Sequence, residues 1–474
     1  MTALMLGGEM PHWSDDTPVR GEVLRGLLST ASGSTLVVGP HHPDLVAAIP
    51  ARQVTVLVRG VPDATRYATL PGVQVCCGSL EKLAAVPAYD TVIALDGLDR
   101  TGSTEDSAAL SWADGLDRLL SVLRPGGLLL LGHGNPLGLH RLYAGATTPG
   151  DADWAVADDP GRPARLETLS AHLHRAGLSV TGEYAAYPAP RTPTTLVSRA
   201  ALADPGRHGH LTSVLRRAGI PGGPLLADPR PLAATLLDAG LAAALAPSWL
   251  VVAARPGHPP LSLPEVLRTD GLTGFAETTG RTGSAETTGR PGLAATVSGP
   301  PVPRGRCLHD ALLAASRAGD RPEMRALLTA WQSGDTAGVP ADAIIVGEDG
   351  RLHPLAPPSD PPAVLHRLAA ALRDEGQADE DAAWLATMAG IEIPLSSTST
   401  PETLREVSAA HDRLALQVSD LQSQLRWYES RIAALRSELA RADRIIGVLK
   451  TTVPGKAAKA VLTGARTVIR RLRR

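Results

Sequence analysis

The fold is decided by residues 119–142, which read LLSVLRPGGLLLLGHGNPLGLHRL. A helical pattern leads into Pro125, which together with the next two glycines breaks it. The run GLLLLGH (127–133) is almost continuously apolar, as is typical of a strand buried on both faces of a parallel sheet. Asn135 and Pro136 then turn the chain. The order of helix, strand and turn predicts a parallel sheet covered by helices.

Other apolar runs alternate with helical stretches through the first half of the chain. Each is short and continuously apolar, as expected for strands that helices cover on both faces. The strand candidates are STLVVG (34–39), QVTVLV (53–58), VQVCC (73–77), DTVIAL (90–95) and SWLVVAA (248–254). The helix candidates are 43–49, 109–122, 165–176, 211–218 and 230–245. Residues 1–256 are therefore predicted to form an α/β domain with a doubly wound, mostly parallel sheet.

Two segments of contrasting composition follow. Residues 257–303 are rich in Pro, Gly and Thr, and in them TGFAETTGR is followed by TGSAETTGR. Such a segment buries too little apolar surface to order itself, which predicts a flexible linker. Residues 304–394 regain helical periodicity and include a turn at Glu348–Gly350. They are predicted to form a small, mostly helical domain that contains a hairpin.

Residues 402–449 carry a seven-residue apolar repeat. Mostly apolar residues recur in steps of three and four from Leu404 to Leu449. A strict seven-residue repeat over this length predicts a C-terminal coiled coil, and hence an oligomer, most simply a dimer, formed through residues 402–449. The alternative is a single amphipathic helix that packs on its own domain.

The final segment, residues 450–474, is basic. Residues 451–474 contain seven Lys or Arg and no acidic residue, and apolar residues fall on one side of a helix after Pro454. A basic amphipathic helix suits an anionic membrane surface, and a frayed, solvated terminus is the alternative. Nucleic-acid binding is not expected, because the net charge of the chain is −2 and the tail has no aromatic residue for base stacking.

Composition limits the remaining function classes. No apolar run reaches the roughly 18 residues of a membrane-spanning helix, and the N-terminus lacks a basic region followed by an apolar stretch. The three cysteines, Cys76, Cys77 and Cys307, lack metal-ligand spacing. We expect a cytoplasmic protein without a metal site, which is peripheral at the inner membrane face if the tail binds lipid.

The order of motifs in the first domain resembles the class I S-adenosylmethionine-dependent methyltransferases, in particular methyltransferase-like proteins of bacterial surface-polysaccharide gene clusters. Its most specific part is LRPGGLLLL (123–131), which in that family is the entry to the fifth strand. The other matching stretches are LVVGPHHPDL (36–45), VTVLVRG (54–60), GSLEKL (78–83), YDTVIALDGLDR (89–100) and HLHRAGLSV (172–180). The resemblance covers residues 30–256 and implies a Rossmann-like methyltransferase fold with S-adenosylmethionine as the cofactor.

The resemblance also implies a cofactor site at the carboxyl ends of the strands. The residues that it assigns to S-adenosylmethionine are Gly39, Arg59, Gly78, Ser79, Leu80, Asp96 and Gly97. Two positions depart from the family pattern. Pro40 lacks an N–H donor beside the first glycine, and Arg59 stands near the place where an acid binds the ribose hydroxyl groups.

The methyl acceptor is expected beyond the fifth strand, where GHGNPLGLHR supplies two histidines. His133 or His140 is a candidate base for a hydroxyl proton, because the pKa of histidine lies near neutrality. The implied function is transfer of a methyl group to a glycan or another hydroxyl acceptor. The alternative is a non-catalytic scaffold with the same fold, which positions partners near the membrane and which Pro40 and Arg59 favour.

Overall fold

The computed structural model of the protein describes residues 3–15, 17–102, 110–143, 159, 161–218, 228–268 and 304–374. The predicted coiled coil (402–449) and basic tail (450–474) lie outside the described residues, as do most of the predicted linker and the end of the small domain. All described residues belong to one compact unit.

Ten strands of the described chain form one sheet. They are β1 (Leu4–Gly7), β2 (Ser34–Val38), β3 (Gln53–Val58), β4 (Val73–Gly78), β5 (Tyr89–Ala94), β6 (Leu123–Gly134), β7 (Ser179–Tyr187), β8 (Thr195–Ser198), β9 (Ser248–Ala254) and β10 (Val266–Arg268). Their spatial order is β1-β4-β3-β2-β5-β6-β9-β7-β8-β10.

The sheet is doubly wound. From β2 the chain adds β3 and β4 on one side and then returns to add β5 and β6 on the other, so the switch point lies between β2 and β5. Strands β1 to β6 run parallel, whereas β9 is antiparallel to both β6 and β7. The doubly wound, mostly parallel sheet predicted from the sequence is confirmed.

Helices cover both faces of this sheet. They are α1 (Glu22–Leu28), α2 (Pro43–Ala47), α3 (Val61–Tyr67), α4 (Trp112–Ser121), α5 (His140–Tyr143), α6 (Leu166–Arg175), α7 (Arg199–Leu202), α8 (His208–Arg216) and α9 (Pro229–Asp238). Side chains of α1, α2 and α3 join one apolar cluster, and those of α4, α6, α8 and α9 join another. Local signals fix the starts: Pro43 begins α2, and Ser111 with Asp114 forms a capping box at α4.

Neighbouring residues of β6 belong to different clusters. Leu129 and Leu131 pack with α4, whereas Leu128 and Leu130 join the cluster that contains α1. All four are at most 1% exposed. The run of leucines is continuous because alternate side chains of the strand are buried on opposite faces of the sheet.

The structure corrects the predicted end of the sheet. The predicted linker begins at residue 257, yet β10 lies beyond that point and pairs with β8 in antiparallel register. Val266 and Leu267 are 2% and 7% exposed, so residues 257–268 lead into the sheet instead of forming a flexible linker. The strands β1, β7, β8 and β10 are additions to the predicted set.

Residues 304–374 form a smaller part that packs on α8. It contains β11 (Gly305–Cys307), β12 (Ile344–Gly347) and β13 (Leu352–Pro354) in an antiparallel sheet, with α10 (Leu308–Arg317), α11 (Arg321–Gln332) and α12 (Pro361–Asp374). β12 and β13 pair in antiparallel register on either side of Glu348–Gly350, the position of the predicted turn. The Nη2 atom of Arg216 in α8 lies 2.7 Å from the Oδ1 atom of Asp310, and Ser213 donates a hydrogen bond to the Asp342 carbonyl.

No helix in the described ranges is both long and apolar enough to cross a membrane.

Candidate functional site

The carboxyl ends of β2, β3, β4 and β5 surround a crevice at the switch point of the sheet. Gly39 follows β2, Arg59 follows β3 and Gly78 ends β4. All three line the crevice, and Arg100 and Thr101 beyond β5 complete its wall. The structure therefore brings these three predicted cofactor residues together.

The other four predicted cofactor residues follow β4 and β5: Ser79, Leu80, Asp96 and Gly97. The Leu80 N–H donates to the Thr101 carbonyl at 2.8 Å, which joins the exits of the two strands. Ser79 is fully buried, and its Oγ has no hydrogen-bond partner among the described residues. A buried hydroxyl without a partner marks a place where a polar ligand atom or a water molecule is expected.

The chain's own N-terminal segment covers this crevice. After β1, residues 8–15 and 17–20, which we call the crossing segment, run over the ends of β3 and β2. Met10 bridges to Gly60, and Val19 bridges to His41. The segment is thus held by backbone pairing near both of its ends.

Asp63, in the first turn of α3, holds the middle of the crossing segment. Its carboxylate accepts hydrogen bonds from the Asp15 N–H at 2.8 Å and from the Ser14 hydroxyl at 2.7 Å, and Asp63 is 3% exposed. The Trp13 carbonyl oxygen lies 2.4 Å from the place that a Cβ at Gly60 would occupy. Only glycine at position 60 allows so close an approach.

Arg100 joins the crossing segment to the exit of β5. Its guanidinium donates to the carboxylates of Asp15 and Asp96 and to the Thr17 carbonyl at 3.2 Å. Burial alone lowers the pKa of Arg100, but the two carboxylates outweigh it and raise that pKa above its ordinary value. Arg191 donates to the second Asp96 oxygen at 3.0 Å, so two guanidinium groups share the Asp96 carboxylate.

The space left beneath the crossing segment is small. The cavity that Trp13, Gly39 and Arg100 help to line has a volume of about 10 Å³, which is close to that of one water molecule. Sites for cofactor-sized ligands have volumes of about 300–1,000 Å³. S-adenosylmethionine therefore does not fit this conformation.

Arg59 supports the crossing segment. Its Nε donates to the Gly8 carbonyl at 3.2 Å, and its own carbonyl accepts the Met10 N–H at 2.8 Å. The acid that faces the crevice from this side is Asp63. Asp63 was not among the predicted residues, because the acid was expected directly after the strand, whereas Asp63 lies in the first turn of the following helix. The sequence signal for it is Val61-Pro62-Asp63, a recognisable helix start.

His41 connects the loop after β2 to β5. Its Nδ1 lies 3.1 Å from the Gly39 carbonyl, and its Nε2 accepts the Leu95 N–H at 3.2 Å. These partners require the neutral tautomer with the proton on Nδ1. Burial lowers the pKa of His41, which is consistent with that neutral state.

His133 lies in the core. It is 2% exposed, and its Nε2 lies 2.7 Å from the Pro163 carbonyl oxygen. Its ring stacks on Trp249 at a centroid distance of 6.0 Å and meets Trp112 edge-on at 5.5 Å. Burial lowers the pKa of His133 to about 4. In this conformation the ring serves packing, and a catalytic role for it stays a prediction.

His140 is partly buried beyond β6, and burial lowers its pKa to about 4. A base with so low a pKa is poorly matched to a hydroxyl proton near neutral pH. Asn135 shapes the preceding turn, because its amide nitrogen donates to the Ala244 and Ala246 carbonyls and its oxygen accepts the Leu137 N–H. The described ranges contain no group of three His, Cys, Asp or Glu side chains arranged for a metal ion.

No protein-family model and no curated protein matches the sequence. Solved structures of similar fold include the 4+2 cyclase SpnF, which is 17% identical, with a TM-score of 0.26 over 49% of this chain and 80% of that chain. The N-methyltransferase NodS from Bradyrhizobium japonicum WM9, in complex with S-adenosyl-L-homocysteine, is 14% identical, with a TM-score of 0.25 over 36% of this chain and 78% of that chain.

A third such structure is the S-adenosylmethionine-dependent methyltransferase SibL in its apo form. It is 15% identical, with a TM-score of 0.24 over 49% of this chain and 53% of that chain. Identities and TM-scores this low do not transfer a substrate or a reaction to this chain.

Proposed function

We propose that the protein is an S-adenosylmethionine-dependent methyltransferase whose cofactor crevice opens when the crossing segment leaves it. The observation that carries this proposal is the meeting of Gly39, Asp63 and Gly78 in one crevice at the switch point, where doubly wound sheets bind ligands. The fully buried Ser79 hydroxyl, which lacks a partner among the described residues, adds a polar group for a ligand.

The wall residues have distinct parts in the open state. Asp63 accepts hydrogen bonds from ribose hydroxyl groups, which is what its carboxylate now does for the Ser14 hydroxyl. The backbone at Gly39 would hold the methionine part, and Ser79 and Leu80 would hold the adenine. When bound, the cofactor supplies an electrophilic methyl group.

A hydroxyl group of a glycan is the proposed methyl acceptor. The low pKa of both histidines makes proximity and orientation the main contributions of this chain to the transfer. We place the protein in the cytoplasm, self-associated through residues 402–449 and held at an anionic membrane surface by residues 450–474.

A second candidate is a non-catalytic scaffold of the same fold. The buried contact of Asp15, Arg100 and Asp96 favours it, because separating the partners of a buried ion pair is costly, and this cost would keep the crevice closed. In this reading the crossing segment is a permanent part of the domain.

Titration of S-adenosylhomocysteine into the full-length protein by calorimetry separates the two candidates. Binding at micromolar or better affinity is expected for the methyltransferase. Loss of that binding in Asp63→Asn, with the fold intact by circular dichroism, assigns it to this crevice. No binding to the wild type or to a variant with a released crossing segment favours the scaffold.

A further inference from the structure

We infer that the crossing segment is an autoinhibitory plug that competes with the cofactor for the crevice; the inference rests on the proposed function. The plug uses polar groups similar to those of the proposed ligand. The Ser14 hydroxyl donates a hydrogen bond to Asp63, which is the residue proposed to bind the ribose hydroxyl groups. The Asp15 carboxylate accepts a hydrogen bond from Arg100, as an anionic group of a ligand would.

The charges on the crevice wall allow the plug to leave. When Asp15 moves into water, Arg100 keeps its hydrogen bond to Asp96 at 2.5 Å. Asp96 also keeps Arg191 at 3.0 Å. Release of Asp15 therefore leaves neither Arg100 nor Asp96 without an ionic partner, the loss of which would oppose opening strongly.

The ends of the plug have backbone freedom. Gly7 precedes it with φ of 107°, Gly8 begins it with φ of 72°, and Gly21 follows it with φ of 152°. Glycine changes conformation at such positions at little steric cost, so these residues can act as hinges. The plug thus runs between two glycine sites, and hydrogen bonds with Asp63 and Arg100 hold its middle.

Gly60→Ala opens the crevice without changing a charge. Its new Cβ would lie 2.4 Å from the Trp13 carbonyl oxygen and 2.9 Å from an Asp63 carboxylate oxygen. The backbone of Gly60 has φ of −73°, which alanine adopts readily, so the clash is with the plug and the adjacent carboxylate. Gly134→Ala is the matched control, because no described atom lies within 4 Å of its Cβ position.

The test combines S-adenosylhomocysteine affinity with chymotrypsin cleavage after Trp13, both on the full-length protein. Gly60→Ala should bind about tenfold tighter than the wild type and be cut faster, because more molecules are open before the ligand arrives. In the wild type, the ligand itself should accelerate the cut. Gly134→Ala should behave as the wild type does.

Two results would overturn the inference and have different meanings. If the ligand binds the wild type and Gly60→Ala equally and leaves cleavage after Trp13 unchanged, the proposed function stands and the plug does not compete. If Gly60→Ala is cut rapidly but binds no ligand, the proposed function itself fails, and competition fails with it.

Discussion

The Arg100 guanidinium donates a hydrogen bond to the Asp15 carboxylate, although 85 positions separate the two residues. Their side chains are 0% and 2% exposed. Through this contact the first residues of the chain are bound to the exit of β5, where a doubly wound sheet binds its ligands. This contact therefore contributes to the stability of the domain while the crossing segment covers the crevice.

Arg100→Met should destabilise the protein by about 3–5 kcal/mol, because it leaves the Asp15 carboxylate buried without its guanidinium partner. Urea unfolding followed by circular dichroism measures the effect. The matched control is Arg124→Met, whose pair with Asp90 is 45% and 40% exposed and should contribute less than about 1 kcal/mol. Equal losses in the two variants would contradict the importance of the buried contact.

Acid should destabilise the protein through His133. The folded-state pKa of about 4 lies below the unfolded value near 6.5, so the unfolded chain binds the proton first as pH falls. Stability from this residue is present above pH 6.5 and is lost toward pH 4, by about 3 kcal/mol. Urea unfolding midpoints measured across this pH range test the prediction. In His133→Phe, the loss of stability that comes from this histidine should be absent. In the control His174→Phe, at an exposed position of α6, the same loss should remain.

Gly209→Ala should weaken the packing of residues 304–374 on α8. The added Cβ would lie 2.2 Å from the Gly305 carbonyl oxygen, and a backbone atom cannot yield as a flexible side chain does. We expect a loss of about 1–3 kcal/mol in the unfolding free energy. The matched helical control is Gly115→Ala in α4, where the nearest described atom is 3.5 Å away and alanine favours the helix. A Gly209→Ala protein as stable as this control would refute the packing.

Deletion of residues 402–474 should convert an oligomer into a monomer. The prediction rests on the seven-residue repeat from Leu404 to Leu449. Multi-angle light scattering gives the mass of both proteins directly. An unchanged mass would show that the repeat does not mediate self-association.

The sequence predicted the centre of the sheet well because β2 to β6 and β9 are buried on both faces, and a doubly buried strand has a continuous apolar pattern. β7 mixes polar and apolar residues and so lacks that pattern. β1 (LMLG) is apolar but only four residues long, and it lies at the edge of the sheet, where Leu4 and Met5 are exposed. The crossing segment reads as a polar loop. Its contacts with Asp63 and Arg100 are long-range, and no local rule predicts them.

Hydrogen exchange of the amides of Met10, Asp15 and Val19 tests closure of the crevice most directly. These N–H groups donate to the Arg59 carbonyl, the Asp63 carboxylate and the Pro40 carbonyl. In the free protein they should exchange slowly, and S-adenosylhomocysteine should make all three exchange faster. Fast exchange in the free protein, or protection that the ligand leaves unchanged, would contradict a crossing segment that closes the crevice and yields to the cofactor.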